Sequence, residues 1–210
     1  NILFSNPEKF YHGYRRAVNT INSDEYFTKK LIAIENIITK GKSLIYTNWL
    51  NFGVKPIKDF LESKNISYDT LTGERPQKER QSVIDKFNNN QIDTLLITSA
   101  GGEGIDLKGV SNIFILDPVW NYSKLQQIIG RGVRYKSHIH LPPKQRHVNI
   151  YKLVLVEKNI DDDWLHSKSI SGDVILYKII ENKKILYNKL NTIFRYIHNK
   201  IEINPRLSIK

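Results

Sequence analysis

Short apolar runs alternate with stretches of helical periodicity between residues 26 and 156. The runs are rich in β-branched residues and are bounded by turn-forming residues, which is typical of strands buried in a sheet. They predict strands at residues 43–47 (SLIYT), 66–71 (ISYDTL), 94–98 (TLLIT), 112–117 (NIFILD) and 147–156 (HVNIYKLVLV).

Between these runs, apolar residues recur every three or four positions, as they do on the buried face of a helix. They predict helices at 26–39, 56–64, 76–87 and 122–130, with Pro76 as the first residue of its helix. Strands that alternate with helices indicate the α/β class, with a parallel sheet covered by helices on both faces.

The pattern changes after residue 157. Apolar residues at steps of three, four and seven over 174–201 predict one long amphipathic helix with a lysine-rich outer face. Such a helix must bury its apolar stripe on the sheet domain or on a partner. We expect three parts: a lead-in from a preceding domain (1–25), an α/β lobe (26–157) and a helical extension (158–210). The chain starts at Asn1 and has no methionine, so we expect a piece of a longer protein.

The net charge of +11 is unevenly distributed. Residues 118–152 include basic residues and no acidic ones, which favours a polyanionic partner such as nucleic acid. Lysine drift in an AT-rich genome is the alternative. The chain contains no cysteine and no apolar stretch of about 20 residues, so disulfides, thiolate metal sites and membrane-spanning helices are not expected. His138 and His140 have no carboxylate nearby in the sequence, so we expect no metal site.

The segment QIIGRGVR (127–134) carries the strongest chemical signal. On a helix, Arg131 and Arg134 would leave the same face, because residues three apart are neighbours there. Two such guanidinium groups can stabilise the charge of a phosphoryl group in its transition state, and Gly130 and Gly132 leave room for it. The plainer alternative is a basic surface helix that forms salt bridges or binds phosphate passively.

A glycine-rich loop, TSAGGEGID (98–106), directly follows a predicted buried strand. In open parallel sheets, ligands bind at the carboxyl ends of the strands, where the loop amides and the hydroxyls of Thr98 and Ser99 can contact phosphate. The loop is not a Walker A motif, since it ends in Ile-Asp rather than in Gly-Lys-Ser/Thr. Asp106 could accept a hydrogen bond from a ribose hydroxyl or orient an arginine.

In their order along the chain, these segments resemble motifs of superfamily 2 helicases. The loop 98–106 resembles motif V, the segment 127–134 resembles motif VI, SLIYTNW (43–49) resembles motif IV, and LTG with Arg80 resembles the segment after it. The resemblance covers residues 26–156. DPVWN (117–121) is similar to Swi/Snf-type remodelling ATPases, while GRGVRYKSH followed by LPPKQRHVNIYKL looks closest to the transcription-associated ATPases and helicases of large cytoplasmic DNA viruses.

The resemblance implies a RecA-like parallel sheet with helices on both faces, plus the C-terminal helical extension. It implies the second motor lobe of an ATP-dependent nucleic-acid translocase or helicase, whose ATP and Mg²⁺ are bound mainly by a first lobe. The fragment alone should hydrolyse no ATP, since it lacks the P-loop and Walker B residues. The expected partners are DNA or RNA, the first lobe of the same protein and, through the C-terminal helix, the transcription machinery. No membrane is expected, and the location is the virion and host cytoplasm if the source is viral, and otherwise intracellular.

The resemblance also assigns residues. Arg131 and Arg134 would contact the γ-phosphate and Gln127 would help to orient the site, so these three are the catalytic candidates. Gly104 and Asp106, with the two arginines, would line the nucleotide. The residues expected to bind the nucleic-acid backbone are Thr47, Asn48, Thr98, Ser99, Gly101, Gly102 and Lys124.

Two alternatives belong to other classes of protein. A non-catalytic nucleic-acid-binding or transcription-assembly module could keep the same fold, but it does not require both arginines and Asp106, and all three are present. A dinucleotide-binding enzyme is disfavoured, because no G-x-G-x-x-G motif follows the first strand. Trp120 could stack on a base, although filling the core between two lobes is favoured.

Overall fold

One parallel sheet organises the chain. The computed structural model describes residues 29–156 and 171–200, without the side chains of 197–200. The strands are β1 (Ser43–Tyr46), β2 (Tyr68–Leu71), β3 (Thr94–Ile97), β4 (Asn112–Ile115) and β5 (Asn149–Lys152), in the order β2-β3-β1-β4-β5. The centre of the sheet is therefore β1, and its last residue, Tyr46, pairs with Ile97 of β3 and Ile115 of β4.

Helices connect the strands, as the periodicity predicts. The α-helices of the described residues are α1 (Lys29–Ile38), α2 (Lys55–Ser63), α3 (Gln77–Asn88), α4 (Tyr122–Gly132) and α5 (Gly172–Lys200). A π-helical turn, Leu50–Val54, precedes α2, and a 3₁₀ turn, Pro143–Gln145, precedes β5. Pro76 occupies the position just before α3, so the helix begins at Gln77, one residue later than predicted.

The central strands β1, β3 and β4 are buried on both faces, which explains why their sequences are almost continuously apolar. Along β1, Leu44 packs into the core formed with α3, α4 and α5, whereas Ile45 packs into the core formed with α1 and α2. The same alternation holds in β4, where Phe114 faces the second core and its neighbours face the first. The predicted α/β fold with helices on both faces is confirmed.

The last strand is shorter than predicted. The sequence favours a strand over 147–156, but β5 covers only Asn149–Lys152 and is mostly exposed at the edge of the sheet. After Leu153, whose N–H donates to Ile115, the chain leaves the sheet, and the N–H of Leu155 donates to Asp173 of α5 instead. The expected lead-in (1–25) and most of the link to α5 lie outside the described residues.

A buried ion pair fixes the start of α5 to the lobe. Lys30 Nζ of α1 lies 2.5 Å from Asp173 Oδ2, with both side chains almost wholly inaccessible, and it also donates to the carbonyl of Leu116. Burial raises the pKa of the Asp173 carboxyl, while the charge of Lys30 opposes that rise. The adjoining side chains of Val174, Leu176, Tyr177 and Ile180 are buried in the lobe. The first half of α5 therefore packs on its own lobe.

The second half of α5 exposes its apolar side chains. The exposed residues are Ile185, Leu186, Tyr187, Leu190, Ile193, Phe194 and Tyr196. Between the two halves, Lys183 donates to the carbonyl of Trp120 and lies over its indole ring. No helix within the described ranges is long and apolar enough to cross a membrane.

Candidate nucleotide and nucleic-acid interface

A buried carboxylate joins the carboxyl ends of β1 and β4. Asp117 Oδ2 accepts hydrogen bonds from Thr47 Oγ1 at 2.6 Å and from the backbone N–H of Asn48 at 2.7 Å. The side chain of Asn48 is held in turn, because its Oδ1 accepts from the hydroxyl of Tyr46 at 2.7 Å. Thr47 is 0% exposed, so its side chain supports this corner, whereas Asn48 is only half-buried. Asp117 was missed as a site residue, although the predicted strand 112–117 ends on it.

Hydrogen bonds within the glycine-rich loop after β3 stabilise its conformation. The N–H of Gly101 donates to Thr98 Oγ1 at 3.3 Å, and the N–H of Gly102 donates to the Thr98 carbonyl at 2.8 Å. A Cβ atom on Gly101 would lie 1.7 Å from the carbonyl oxygen of Leu71, so only glycine fits there. In this conformation both amides are engaged within the loop and Thr98 is buried, while Ser99 stays accessible.

Arg80 of α3 braces the same loop. Its Nη2 donates to the carbonyl of Gly101 at 2.7 Å and to that of Glu103 at 3.1 Å. Through these two bonds the guanidinium holds the backbone of the loop. The sequence indicated Arg80 only through the helicase resemblance, because its carbonyl partners carry no signal of their own.

A narrow cleft separates this loop from α4. The helix begins where Asn121 Oδ1 accepts from the N–H of Lys124 at 2.7 Å, and its buried face carries Leu125 and Ile128. Lys124, Gln127 and Arg131 are three and four residues apart along this helix, so their side chains share one face. The cleft brings together several predicted site residues: Thr98, Ser99, Gly102, Lys124, Gln127 and Arg131. It therefore joins a hydroxyl-bearing loop to a basic helix face.

Arg134 lies outside the helix, so the prediction of one helical face for both arginines is wrong. The helix ends at Gly132, where a Cβ would lie 3.0 Å from Ile113 Cδ1, and the backbone of Val133, with φ −119° and ψ 85°, leaves the helical conformation. The structure places Arg131 in the last helical turn and Arg134 in the turn that follows. No heavy atom approaches a Cβ built on Gly130 within 4 Å, so of the two glycines only this one borders open space.

Arg134 faces Asp106 instead of the cleft. Its Nη1 lies 3.8 Å from Asp106 Oδ1, and its Nε donates to the carbonyl of Gly130 at 3.3 Å. The two side chains are 43% and 62% exposed, so the ion pair is weak and leaves donors of the guanidinium available. Gly104 lines a different surface pocket, together with Arg80 of α3.

The described residues contain no group of three or more histidine, aspartate or glutamate side chains placed to hold a metal ion. His138 Nε2 lies 2.7 Å from the carbonyl oxygen of Val110, so this ring is bound to the backbone. The basic side chains and hydroxyls at this edge of the sheet suit phosphate groups.

Arginines and hydroxyl-bearing side chains thus gather at one edge of an α/β lobe whose sequence has no complete P-loop motif. Residues 28–136, more than half of the chain, match the family model described as "Helicase conserved C-terminal domain". The chain belongs to this family.

Viral proteins are among its relatives. The chain is 34% identical over 194 residues to "Putative ATP-dependent RNA helicase L538" of Acanthamoeba polyphaga mimivirus, in an alignment that covers 91% of the chain and 42% of the relative. It is 32% identical over 186 residues to "Nucleoside triphosphatase I" of Choristoneura biennis entomopoxvirus, covering 84% of the chain and 27% of the relative. The chain thus spans less than half the length of these relatives.

Solved structures share the fold. The C-terminal part of the Fun30 ATPase domain superposes with a TM-score of 0.54 at 19% identity, covering 87% of this chain and 63% of that one. The E. coli DEAD-box protein SrmB, solved bound to the regulator of ribonuclease activity A, gives a TM-score of 0.50 at 20% identity, covering 59% and 69%. The predicted RecA-like helicase lobe is confirmed as the fold.

Proposed function

We propose that this chain is the second motor lobe of an ATP-dependent nucleic-acid translocase or helicase. The observation that carries the proposal is the cleft in which Ser99, Lys124, Gln127 and Arg131 meet, with Arg134 exposed beside it. The sequence contains arginines and a glycine-rich loop but no complete Gly-x-x-x-x-Gly-Lys-Ser/Thr motif, since Asn36 stands where the first glycine would precede Gly41-Lys42-Ser43, so we place the remaining part of the nucleotide site on another lobe.

On the nucleotide side, we assign Arg131 and Arg134 to the γ-phosphate of ATP held by the first lobe. Guanidinium groups fit this task because they carry a permanent charge and several donors, and the partial exposure of both arginines leaves donors free. Gln127 would help to orient the arginines, and Gly104 and Asp106 would line the ribose side. ATP hydrolysis supplies the free energy, and Mg²⁺ would be bound by the first lobe.

On the nucleic-acid side, we assign the accessible side chains of Asn48, Ser99 and Lys124 to the phosphate backbone. Thr47 and Thr98 are buried, so they would contribute by holding Asn48 and the loop in place. Gly101 and Gly102 would contribute their backbone if the loop rearranges on binding. Contacts to phosphate imply binding that is independent of sequence and sensitive to salt. RNA is the favoured strand because the mimivirus relative is named an RNA helicase, with DNA the alternative.

At a larger scale, we propose a lead-in (1–25), a motor lobe (26–157) and an extension (158–210) that follow a first lobe in the same protein. The exposed half of α5 is available for a transcription partner. The viral relatives favour a viral protein acting in the host cytoplasm and carried in the virion.

The test compares the isolated chain with the full-length protein. The isolated chain should bind single-stranded RNA with an affinity that falls as salt is raised, and it should not hydrolyse ATP. The full-length protein should hydrolyse ATP faster when RNA is present. ATP turnover by the isolated chain at the full-length rate would contradict the two-lobe site. A full-length protein that binds RNA without hydrolysing ATP would favour the non-catalytic module.

A further inference from the structure

The turn that carries Arg134 is tied to the chain segment that follows the glycine-rich loop. His138 Nε2 lies 2.7 Å from the carbonyl oxygen of Val110, and the N–H of Gly109 donates to the carbonyl of Ser137 at 3.0 Å. The first of these bonds joins residues that are 28 positions apart in the sequence.

Within the turn, Ser137 holds the backbone of Arg134 on both sides. Its Oγ accepts from the N–H of Arg134 at 3.3 Å, and the N–H of Ser137 donates to the Arg134 carbonyl at 3.1 Å. Ser137 is buried, so water cannot replace these bonds. Lys136, between them, has a φ of +65°, a conformation that non-glycine residues adopt only where the surroundings hold them in it.

The hydrogen-bond partners of the His138 imidazole determine its tautomer. A backbone carbonyl can only accept, so His138 Nε2 must carry the proton that is shared with Val110. In the neutral ring, Nδ1 then accepts from the Ser137 hydroxyl at 2.7 Å. The ring therefore links the Val110 carbonyl to the side chain that holds Arg134.

The other end of this link is also held. Asn88, at the end of α3, accepts from the N–H of Lys108 at 2.8 Å and donates to the carbonyl of Asp106 at 3.1 Å. The same helix carries Arg80, which braces Gly101. The loop, its exit and the arginine turn therefore form one hydrogen-bonded unit, with His138 as the side-chain link to the turn.

We propose that His138 is a positioning residue that holds Arg134 in register with the glycine-rich loop, so that strand binding at the loop is transmitted to the arginine. This inference rests on the proposed function, because it requires Arg134 to act in ATP hydrolysis. His138 touches no phosphate itself; it acts through Ser137 and the backbone of Arg134.

Two substitutions separate the two bonds of the ring. In His138→Gln, the amide nitrogen can occupy the place of Nε2 and keep the donation to Val110. In His138→Asn, the shorter amide can replace only Nδ1, so the bond to Val110 is lost. The exposed neighbour His140 provides the control His140→Gln. Ser137→Ala removes the other end of the link and serves if His138→Asn does not fold.

The experiment measures kcat and KM for ATP in the full-length protein at saturating RNA. We expect His138→Asn and Ser137→Ala to lower kcat about tenfold, because a small misplacement of a catalytic group is costly, while KM and RNA affinity change little. His138→Gln keeps the bond to Val110 but loses the bond to Ser137, so it should lower kcat as well, whereas the control should stay near the parent. A parental kcat for His138→Asn or for His138→Gln would overturn the proposal.

A double-mutant cycle with Arg134→Ala separates this inference from the proposed function. If His138 acts through Arg134, adding His138→Asn to Arg134→Ala should lower kcat no further. If His138→Asn lowers kcat in the Arg134→Ala protein by the same factor as in the parent, its effect is independent of Arg134, and the inference alone is overturned. If Arg134→Ala itself leaves kcat unchanged, the proposed function and the inference both fail.

Discussion

The guanidinium of Arg80 donates a 2.7 Å hydrogen bond to the carbonyl oxygen of Gly101, and so ties α3 to the loop at the mouth of the cleft. Gly101 is held both by its close packing on the Leu71 backbone, which leaves no room for a side chain, and by this bond from Arg80. In the full-length protein, Arg80→Ala should weaken RNA binding several-fold, as expected from losing bonds that a charged group makes with the backbone.

The matched control for Arg80 is Lys78→Ala, which removes one positive charge from the exposed side of the same helix. Fluorescence anisotropy with labelled single-stranded RNA at two salt concentrations measures both variants. A loss of affinity in Lys78→Ala equal to that in Arg80→Ala would mean that charge, and not the shape of the loop, is what matters.

The ion pair of Lys30 and Asp173 should stabilise the attachment of α5 strongly. Both side chains are buried, so Lys30→Met leaves a carboxylate without its counter-ion and should lower the free energy of unfolding by about 3–5 kcal/mol. Adding Asp173→Asn to Lys30→Met should recover part of that loss, because the unpaired charge is removed. Urea unfolding of the chain measures each variant.

Lys64 and Glu35 provide the control for that pair. Their atoms are also 2.5 Å apart, but both side chains are 37% exposed. Lys64→Met should therefore cost at most about 1 kcal/mol, because water screens an exposed pair. Equal losses in Lys64→Met and Lys30→Met would contradict the account of α5 as a helix held by a buried pair.

Lys42 should make the stability of the lobe rise with pH in the alkaline range. Burial lowers the pKa of Lys42 from 10.5 to about 8, although Asp93 acts against this shift. Between those values the unfolded chain binds more protons than the folded chain, so this group's contribution to the free energy of unfolding increases as the pH rises. The stability of Lys42→Met relative to the parent should therefore decrease from about pH 8 to about pH 10.5.

Urea unfolding over that pH range measures the effect. The exposed neighbour Lys40 gives the control, and the stability of Lys40→Met relative to the parent should change little. If the stability of Lys42→Met relative to the parent stays constant or increases over this pH range, the lowered pKa of Lys42 is contradicted.

The strands were predictable because burial on both faces makes their sequences nearly all apolar. Leu44 and Ile45 point into different cores and both are buried, so the apolar run in the sequence predicted this strand correctly. The length of the edge strand β5 was overestimated. It depends on where the neighbouring strand β4 ends and on the hydrogen bond from the N–H of Leu155 to Asp173, which takes the chain out of the sheet.

The details of the site depended on contacts that are distant in sequence. Thr47 is bonded to Asp117, which is 70 residues away, so its burial could not be inferred from its own surroundings. The helix α4 ends at Gly132, which packs closely against Ile113 of β4, and this end separates Arg131 from Arg134. Motif order identified which residues matter, but the paired strands and the packed helix determined which of them are accessible.

The most direct test of the account is the ATP turnover of the full-length protein with Arg134→Ala, at saturating RNA and ATP. The account predicts that kcat falls about 10²–10³-fold, as when a donor to transition-state charge is removed, while RNA affinity stays near that of the parent. Lys144→Ala, an exposed residue of the same basic segment, should leave kcat unchanged. A parental kcat for Arg134→Ala would contradict the claim that this lobe supplies an arginine to the ATP site.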